Sequence, residues 1–203
     1  MTQPQILSYG KPLAQAKTAM IMLHGRGASA EDILTIAEAL DVPDIACLAP
    51  QAANHVWYPV PYSQPVAKNE PHLSDALDLI TRLITQVNQA GIATDHIMLL
   101  GFSQGACLSL EYAARHAQRF GAVFALSGVL IENGDQPRDY PGSLAATPVF
   151  IGCSDVDPYF PVARIHRTTH VMQTLGATVT ERIYPGLGHT VNEDELDFVR
   201  ALL

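Results

Sequence analysis

Short apolar runs alternate with segments of helical periodicity along most of the chain. Continuous apolar runs predict buried strands at 18–23, 45–49, 98–100, 122–126 and 148–152. An alternating run predicts a further strand at 178–184, and a weaker pattern predicts an edge strand at 5–9. Apolar residues at helical spacing predict helices at 29–40, 71–90, 104–114, 162–175 and 192–203. Strands that alternate with helices in this way indicate an α/β fold, with a mostly parallel sheet covered by helices on both faces.

Two segments interrupt this alternation. Residues 50–65 hold four prolines and the only tryptophan, which predicts a rigid aromatic loop. Trp57 and Tyr58 in this loop are candidates for the wall of a binding pocket, or else they cover an edge of the core. Residues 132–146 are rich in Gly, Pro and Asp and predict a second loop.

The apolar run at 98–100 leads into the sequence Gly-Phe-Ser-Gln-Gly at 101–105. A strand bends directly into a helix only where no side chain blocks the crossing, and Gly101 and Gly105 meet that need. Ser103 then stands at the tip of the turn, and the N–H of Gln104 lies at a helix N-terminus, where an oxyanion would form. The alternative is an ordinary glycine-flanked turn with a surface serine.

A serine nucleophile needs a base, and the base needs an acid that orients it. His189 lies in a glycine-flanked turn after the last predicted strand, and Asp157 follows the strand at 148–152 by a few residues. Because the carboxyl ends of parallel strands share one edge of the sheet, Ser103, Asp157 and His189 are expected to meet there. Asp155 is the rival for the acid role, since it occupies the same turn as Asp157.

The turn His24-Gly25-Arg26-Gly27 follows the strand at 18–23 and should reach the same edge. The backbone N–H of Arg26 is a candidate second donor to an oxyanion. The Arg26 side chain either binds an anionic substrate group or is simply exposed. His24 is interpreted as a brace for the turn rather than as a general base. The turn lacks the spacing and the lysine of a phosphate-binding loop.

Length and charge narrow the class of protein. A chain of 203 residues is expected to form one domain, residues 1–203. The net charge of −8 disfavours nucleic acid and anionic membrane surfaces as partners. No signal-peptide pattern or membrane span is apparent, so a cytoplasmic location is expected.

The three cysteines are expected to be buried free thiols. His166 and His170 have a spacing compatible with metal binding, but no clear third ligand accompanies them.

Five blocks of this sequence resemble one known family. LHGRGAS, LAPQAANHVWYP, GFSQGACLSLEYAARH, CSDVDPYFP and YPGLGHTV are similar to the phospholipase/carboxylesterase branch of the α/β-hydrolases, which includes acyl-protein thioesterases. The resemblance implies an α/β-hydrolase fold without a large cap domain, no cofactor or metal, and often a homodimer. It also implies roles for five residues: nucleophile Ser103, acid Asp157, base His189, and oxyanion donors at the N–H groups of Arg26 and Gln104.

The sequence therefore predicts a serine hydrolase that cleaves esters or thioesters of small, fairly apolar acyl groups. Lysophospholipase or acyl-protein thioesterase activity on long acyl chains is the alternative, and a non-catalytic binding module is a third interpretation. Two positions depart from the family pattern: Arg26 replaces a small apolar residue, and Gly152-Cys153 replaces His-Gly. Both departures bear on the substrate more than on the mechanism.

Overall fold

The computed structural model describes residues 4–134 and 138–203. The described residues form seven strands: β1 (Ile6–Gly10), β2 (Ala19–Leu23), β3 (Ala46–Pro50), β4 (Ile97–Phe102), β5 (Ala122–Leu126), β6 (Pro148–Ser154) and β7 (Thr178–Tyr184). They also form five α-helices: α1 (Ala30–Leu40), α2 (His72–Gln89), α3 (Gln104–Arg115), α4 (Val162–Thr174) and α5 (Glu193–Arg200). The strands and helices predicted from periodicity are confirmed, with most ends within two residues.

The strands form one sheet in the order β1-β3-β2-β4-β5-β6-β7. Strand β1 lies at the edge and pairs antiparallel with β3, whereas the other neighbouring strands are parallel. β4 lies at the centre of the sheet, between β2 and β5. The turn that follows β4 therefore lies in the middle of the carboxyl edge, with the turns after β2, β5 and β6 beside it.

Helices cover both faces of the sheet, as predicted. In β2, Ile21 and Leu23 pack on one face with residues of α2, α3 and α4, while Met20 and Met22 pack on the other face with residues of α1 and α5. Burial on both faces explains why the strand reads as an unbroken apolar run. The hydrophobic effect acts on each face, so the central strands are the most constrained part of the fold.

The predicted helix starts are confirmed where a cap was identified. Ser29 Oγ accepts a hydrogen bond from the N–H of Asp32, and the Asp32 carboxylate accepts one from the N–H of Ser29, so α1 begins with a capping box. The prediction for the last helix is wrong at its end, because α5 stops at Arg200. The N–H groups of Leu202 and Leu203 bond to carbonyls three residues back, which tightens the last turn, and Leu202 is 42% exposed.

The two predicted loops follow strands β3 and β5. Between β3 and α2 the chain has only short 3₁₀ turns, Ala53–His55 and Val66–Lys68, in agreement with the rigid loop expected at 50–65. Part of the second predicted loop, residues 135–137, lies outside the described residues. None of the helices in the described ranges has the length and apolarity needed to span a bilayer.

Candidate active site

Ser103 occupies a tight turn between β4 and α3. Its backbone angles are φ 54° and ψ −117°, a left-handed conformation that is uncommon for a residue with a side chain. A Cβ on Gly101 would lie 2.2 Å from the carbonyl oxygen of Gly105, and a Cβ on Gly105 would lie 1.9 Å from that of Leu23. The glycines at both ends of the motif are therefore required by the close approach of the backbone segments.

The structure brings Ser103, His189 and Asp157 together, although 86 residues separate the first two along the chain. His189 Nε2 lies 3.0 Å from Ser103 Oγ, and His189 Nδ1 lies 2.7 Å from Asp157 Oδ2. The Asp157 side chain is fully buried. A hydrogen on Nδ1 donates to the carboxylate and leaves Nε2 free to accept the serine proton.

Asp157 is held by donors on both of its oxygens. Oδ1 accepts from the N–H groups of Tyr159 at 2.8 Å and Phe160 at 3.1 Å. Oδ2, which faces His189, also receives the S–H of Cys153 at 3.7 Å. Burial, with a contribution from the nearby Asp157 carboxylate, raises the pKa of Cys153 to about 12, so the thiol stays protonated and acts as a donor.

The loop that carries His189 is tied to the turn after β6. Asp155 Oδ1 accepts from the N–H of Gly186 at 2.7 Å, and Ser154 Oγ accepts from the N–H of Gly188 at 2.9 Å. Asp155 thus bonds the loop backbone, while Asp157 bonds the imidazole. This arrangement favours Asp157 over its rival as the partner of His189.

Aromatic rings surround the imidazole of His189. Its ring centroid lies 4.9 Å from those of Phe102 and Tyr159 and 5.9 Å from that of Phe160. These contacts limit the rotation of the imidazole and exclude water from part of its surface. The ring orientation needed for proton transfer is therefore fixed by packing as well as by hydrogen bonds.

The two candidate oxyanion donors come from different turns at the carboxyl edge of the sheet. The N–H of Gln104 is at the first residue of α3, and the N–H of Arg26 is in the turn after β2. Within residues 4–134 and 138–203, neither of these two N–H groups has a hydrogen-bond acceptor. The neighbouring N–H of Gly27 is engaged, since it donates to the carbonyl of His55 at 2.7 Å.

The Arg26 side chain bonds backbone carbonyls. Its guanidinium donates to the carbonyl oxygens of Tyr58 at 2.7 Å and Pro59 at 3.1 Å.

His24 is fully buried, and its Nε2 accepts from the N–H of Ala52 at 3.1 Å. Burial lowers the pKa of His24, so the ring is neutral and braces the turn, in agreement with its interpretation from the sequence.

A cavity of about 580 Å³ opens beside Ser103. Its lining is mainly aromatic and apolar, with residues Gly25, Arg26, Ala28, Tyr58, Pro61, Tyr62, Ser63, Phe102, Ser103, Gln104, Cys107, Pro158, Tyr159, Phe160 and His189. Tyr58 lies in this wall as predicted. Trp57 is not among these lining residues and agrees with the other alternative: it is 4% exposed within the core, and its indole N–H donates to the carbonyl of His24 at 2.8 Å.

The candidate metal spacing on α4 has another explanation. His166 Nδ1 lies 2.7 Å from the carboxylate of Glu181 on β7, so it forms a surface pair. No group of three or more His, Cys, Asp or Glu side chains in the described ranges is arranged to hold a metal ion. The three cysteines are free and buried, as predicted.

Sequence reasoning missed three contributors to the site. The sequence patterns assign no hydrogen-bonding role in the site to Cys153, Ser154 or the side chain of Gln104. Their positions directly after predicted strands were a usable signal, since that edge collects polar residues of function. Hydrogen bonds to single loop amides, however, leave no trace in periodicity or spacing.

Known proteins resemble this chain over most of its length. The model of the phospholipase/carboxylesterase family matches residues 4–203. A crystal structure of a phospholipase/carboxylesterase from Dyadobacter fermentans superposes with a TM-score of 0.93 and 39% identity, covering 98% of this chain and 95% of that chain.

Two fungal proteins named acyl-protein thioesterase 1 are also similar in sequence. The one from Debaryomyces hansenii is 30% identical over 203 residues, which cover 89% of this chain and 88% of that protein. The one from Gibberella zeae is 32% identical over 126 residues, so the match spans 52% of that relative. With its seven-stranded sheet and the glycine-flanked serine after β4, the chain belongs to the phospholipase/carboxylesterase family and is a carboxylic ester hydrolase of the α/β-hydrolase fold.

Proposed function

We propose that the chain is a serine esterase that hydrolyses small, fairly apolar acyl esters or thioesters through Ser103, His189 and Asp157. The observation that carries this proposal is the continuous hydrogen-bonded chain, 3.0 Å from Ser103 Oγ to His189 Nε2 and 2.7 Å from His189 Nδ1 to Asp157. A serine hydroxyl becomes an effective nucleophile when a neighbouring base accepts its proton, and this geometry provides that base.

The first half of the reaction forms an acyl-enzyme. Ser103 Oγ attacks the substrate carbonyl carbon while its proton passes to His189 Nε2, and the carbonyl π electrons move to the oxygen to give a tetrahedral oxyanion. The imidazolium is stabilised by the buried Asp157 carboxylate. As the intermediate collapses, His189 gives its proton to the leaving oxygen or sulfur, and the bond from the carbonyl carbon to the leaving group breaks.

The second half repeats this chemistry with water. His189 takes a proton from a water molecule, which attacks the acyl carbon, and the proton then returns to Ser103 Oγ as the ester bond breaks. In both halves the N–H groups of Arg26 and Gln104 donate to the oxyanion. Preorganised donors of this kind are worth about 10²–10³ in kcat each.

The cavity supports an apolar acyl group of modest size. Its walls include Tyr58, Tyr62, Phe102 and Phe160, which provide apolar surface beside the nucleophile. A volume of about 580 Å³ lies in the range of small-molecule pockets. Tyr159, 63% exposed at the rim, favours the second candidate function, the hydrolysis of long acyl chains that extend past the mouth of the cavity.

The central test replaces the nucleophile. Ser103→Ala should lower kcat on p-nitrophenyl butyrate by roughly 10⁴-fold or more and abolish labelling by a fluorophosphonate probe, because the other two groups act through Ser103. Ser74→Ala is the matched control, since Ser74 is exposed on α2 and distant in sequence from the site. Retention of activity and labelling in Ser103→Ala would refute the proposal.

A second experiment separates the two substrate classes. Matched oxygen and thioesters with acetyl, butyryl, octanoyl, dodecanoyl and palmitoyl groups are compared by kcat/KM on the purified protein. The proposal expects the maximum at the short to medium chains, which fit within the cavity. A continuous rise to palmitoyl would assign the protein to the long-chain class instead.

A further inference from the structure

The side chains of the two candidate oxyanion donors converge on one atom. Arg26 Nη2 donates to the carbonyl oxygen of Tyr58 at 2.7 Å, and Gln104 Nε2 donates to the same oxygen at 2.8 Å. One residue comes from the turn after β2 and the other from the first turn of α3. A single carbonyl in a third segment thus joins the two residues whose N–H groups face the proposed oxyanion.

Gln104 holds this third segment at two points. Its Oε1 accepts from the N–H of Trp57 at 3.0 Å while its Nε2 donates to Tyr58, so the carboxamide bonds both sides of one stretch of backbone. All three residues are at most 5% exposed. Buried hydrogen bonds of this kind are costly to break, because water does not replace them.

The segment itself is anchored independently of these two side chains. The indole of Trp57 donates to the carbonyl of His24 at 2.8 Å, and its ring lies 4.9 Å from the imidazole of His24. The N–H of Val60, the residue after Pro59, donates to Oδ1 of the buried Asn69 at 2.8 Å. Residues 57–59 therefore form a rigid support against which both donor residues are positioned.

The two donors need such a support because they belong to different elements. β2 and β4 are neighbours in the sheet, paired as far as Leu23 and Gly101, but Arg26 and Gln104 lie three residues beyond that last pair. Past the strand ends, the ladder no longer fixes the distance between the two backbones. An oxyanion hole works only if its donors are already in place when charge develops.

We propose that the Arg26 and Gln104 side chains are positioning groups that set the separation of their own backbone N–H groups through the carbonyl of Tyr58. This inference rests on the proposed function, in which those N–H groups stabilise the oxyanion. It assigns a purpose to the arginine that replaces a small apolar residue of the family pattern. The charged guanidinium makes a stronger bond to the shared carbonyl than a neutral donor would.

Removing either side chain should weaken stabilisation of the transition state without weakening substrate binding to the same extent. Complete loss of an oxyanion donor costs roughly 10²–10³ in kcat, and a displaced donor retains part of its effect. Arg26→Met and Gln104→Met are each expected to lower kcat by about 10-fold, with KM changed by less than about 3-fold. Both replacements remove the side-chain donors; Met matches Gln in length, whereas it is shorter than Arg and retains only the unbranched apolar part of that side chain.

A double-variant cycle tests the shared carbonyl. If both side chains act through Tyr58, the double variant is about as slow as the slower single variant, rather than about 100-fold slower than the parent. Affinity for a trifluoromethyl ketone analogue, which forms an oxyanion adduct on the serine, should fall by the same factor as kcat. Arg26→Lys keeps one donor and should recover most of the activity. Arg82→Met, at an exposed position on α2, is the matched control.

Several results would overturn the inference. Independent effects that multiply in the double variant would show that the side chains do not share a support, and a rise in KM at constant kcat would assign Arg26 to ground-state binding. Circular dichroism establishes folding of each variant. If Gln104→Met does not fold, Arg26→Met and Arg26→Lys decide the question through kcat, KM and the ketone affinity. If Ser103→Ala loses activity while Arg26→Met keeps full activity, this inference is refuted and the proposed function is not.

Discussion

Glu195 should make the stability of this protein depend on pH in a direction unusual for a carboxylate. It lies in the first turn of α5, where its Oε2 accepts from the N–H of Asn192 and closes the capping box. The side chain is fully buried, and Oε1 has no donor within the described part of the chain. A Cβ built on Gly152 would lie 2.1 Å from Oε1, so the carboxyl packs directly on β6.

The size of this change in stability follows from the raised pKa of Glu195. Burial, and to a lesser extent the charge of Asp194, raises the pKa of Glu195 from 4.5 to about 7 against the opposing bond from Asn192. Between these two pKa values the folded protein binds more protons than the unfolded chain, so its stability falls as pH rises. At 1.36 kcal/mol per pKa unit, the contribution lost between pH 4.5 and pH 7 is about 3 kcal/mol, and it stays lost at higher pH.

Glu195→Gln removes this ionisation while keeping an oxygen for the N–H of Asn192. The free energy of unfolding, measured by urea denaturation from pH 5 to pH 8.5, should increase in the variant relative to the parent by about 3 kcal/mol across that range. The difference in unfolding free energy between the two proteins is the quantity to compare, because His24 affects both of them. Burial lowers the pKa of His24, so below pH 6.5 this residue makes the stability of each protein rise with pH.

The control for this measurement is Glu31→Gln, since Glu31 also lies in the first turn of a helix but is exposed. Its unfolding free energy should track that of the parent at each pH. A Glu195→Gln difference that does not vary with pH would refute the reasoning, because it would mean that Glu195 is ionised equally in the folded and unfolded chains.

Three further predictions concern the site and its turns. Asp157→Asn should lower kcat by about 10⁴-fold while thermal unfolding shows a folded protein, because the amide no longer holds the imidazole in the required tautomer. Asp155→Ala, which removes only the bond to the N–H of Gly186, should lower kcat by less than about 10-fold; equal losses in the two variants would contradict the separate roles of these acids. Gly105→Ala should yield little folded protein in a solubility and circular dichroism assay, since its Cβ would lie 1.9 Å from the Leu23 carbonyl, and a folded, active variant would refute that close approach.

The sheet and the meeting of Ser103, Asp157 and His189 were predictable because they follow from one rule. Buried strands appear as continuous apolar runs, and parallel strands place their carboxyl ends on one edge. Residues that directly follow such runs therefore lie along one edge of the sheet, however far apart they are in the chain. The sequence resemblance supplied the same residues, and the family assignment is confirmed by the match over residues 4–203.

The errors arose where burial depends on contacts that periodicity does not encode. The pattern leaves Trp57 either in the pocket wall or at an edge of the core, and the structure places it inward, where its indole donates to the carbonyl of His24. Leu202 fits the apolar face of the predicted last helix, yet it is 42% exposed and lies beyond the end of α5. The role of Tyr58 was equally hidden, since its carbonyl, rather than its side chain, joins Arg26 and Gln104.

Two serines at the carboxyl edge of the sheet have backbone conformations that cost free energy. Ser103 and Ser127, which follow β4 and β5 directly, both have positive φ, and Ser127 Oγ and Glu195 Oε1 are buried without partners within the described ranges. Asp41 also has positive φ, but it caps the end of α1, where that conformation is normal. Strained residues cost of order 1–3 kcal/mol each and persist only where surrounding packing enforces them. The strands beneath this edge are buried on both faces. Packing of the core therefore holds Ser103 in a conformation that an isolated turn would not keep.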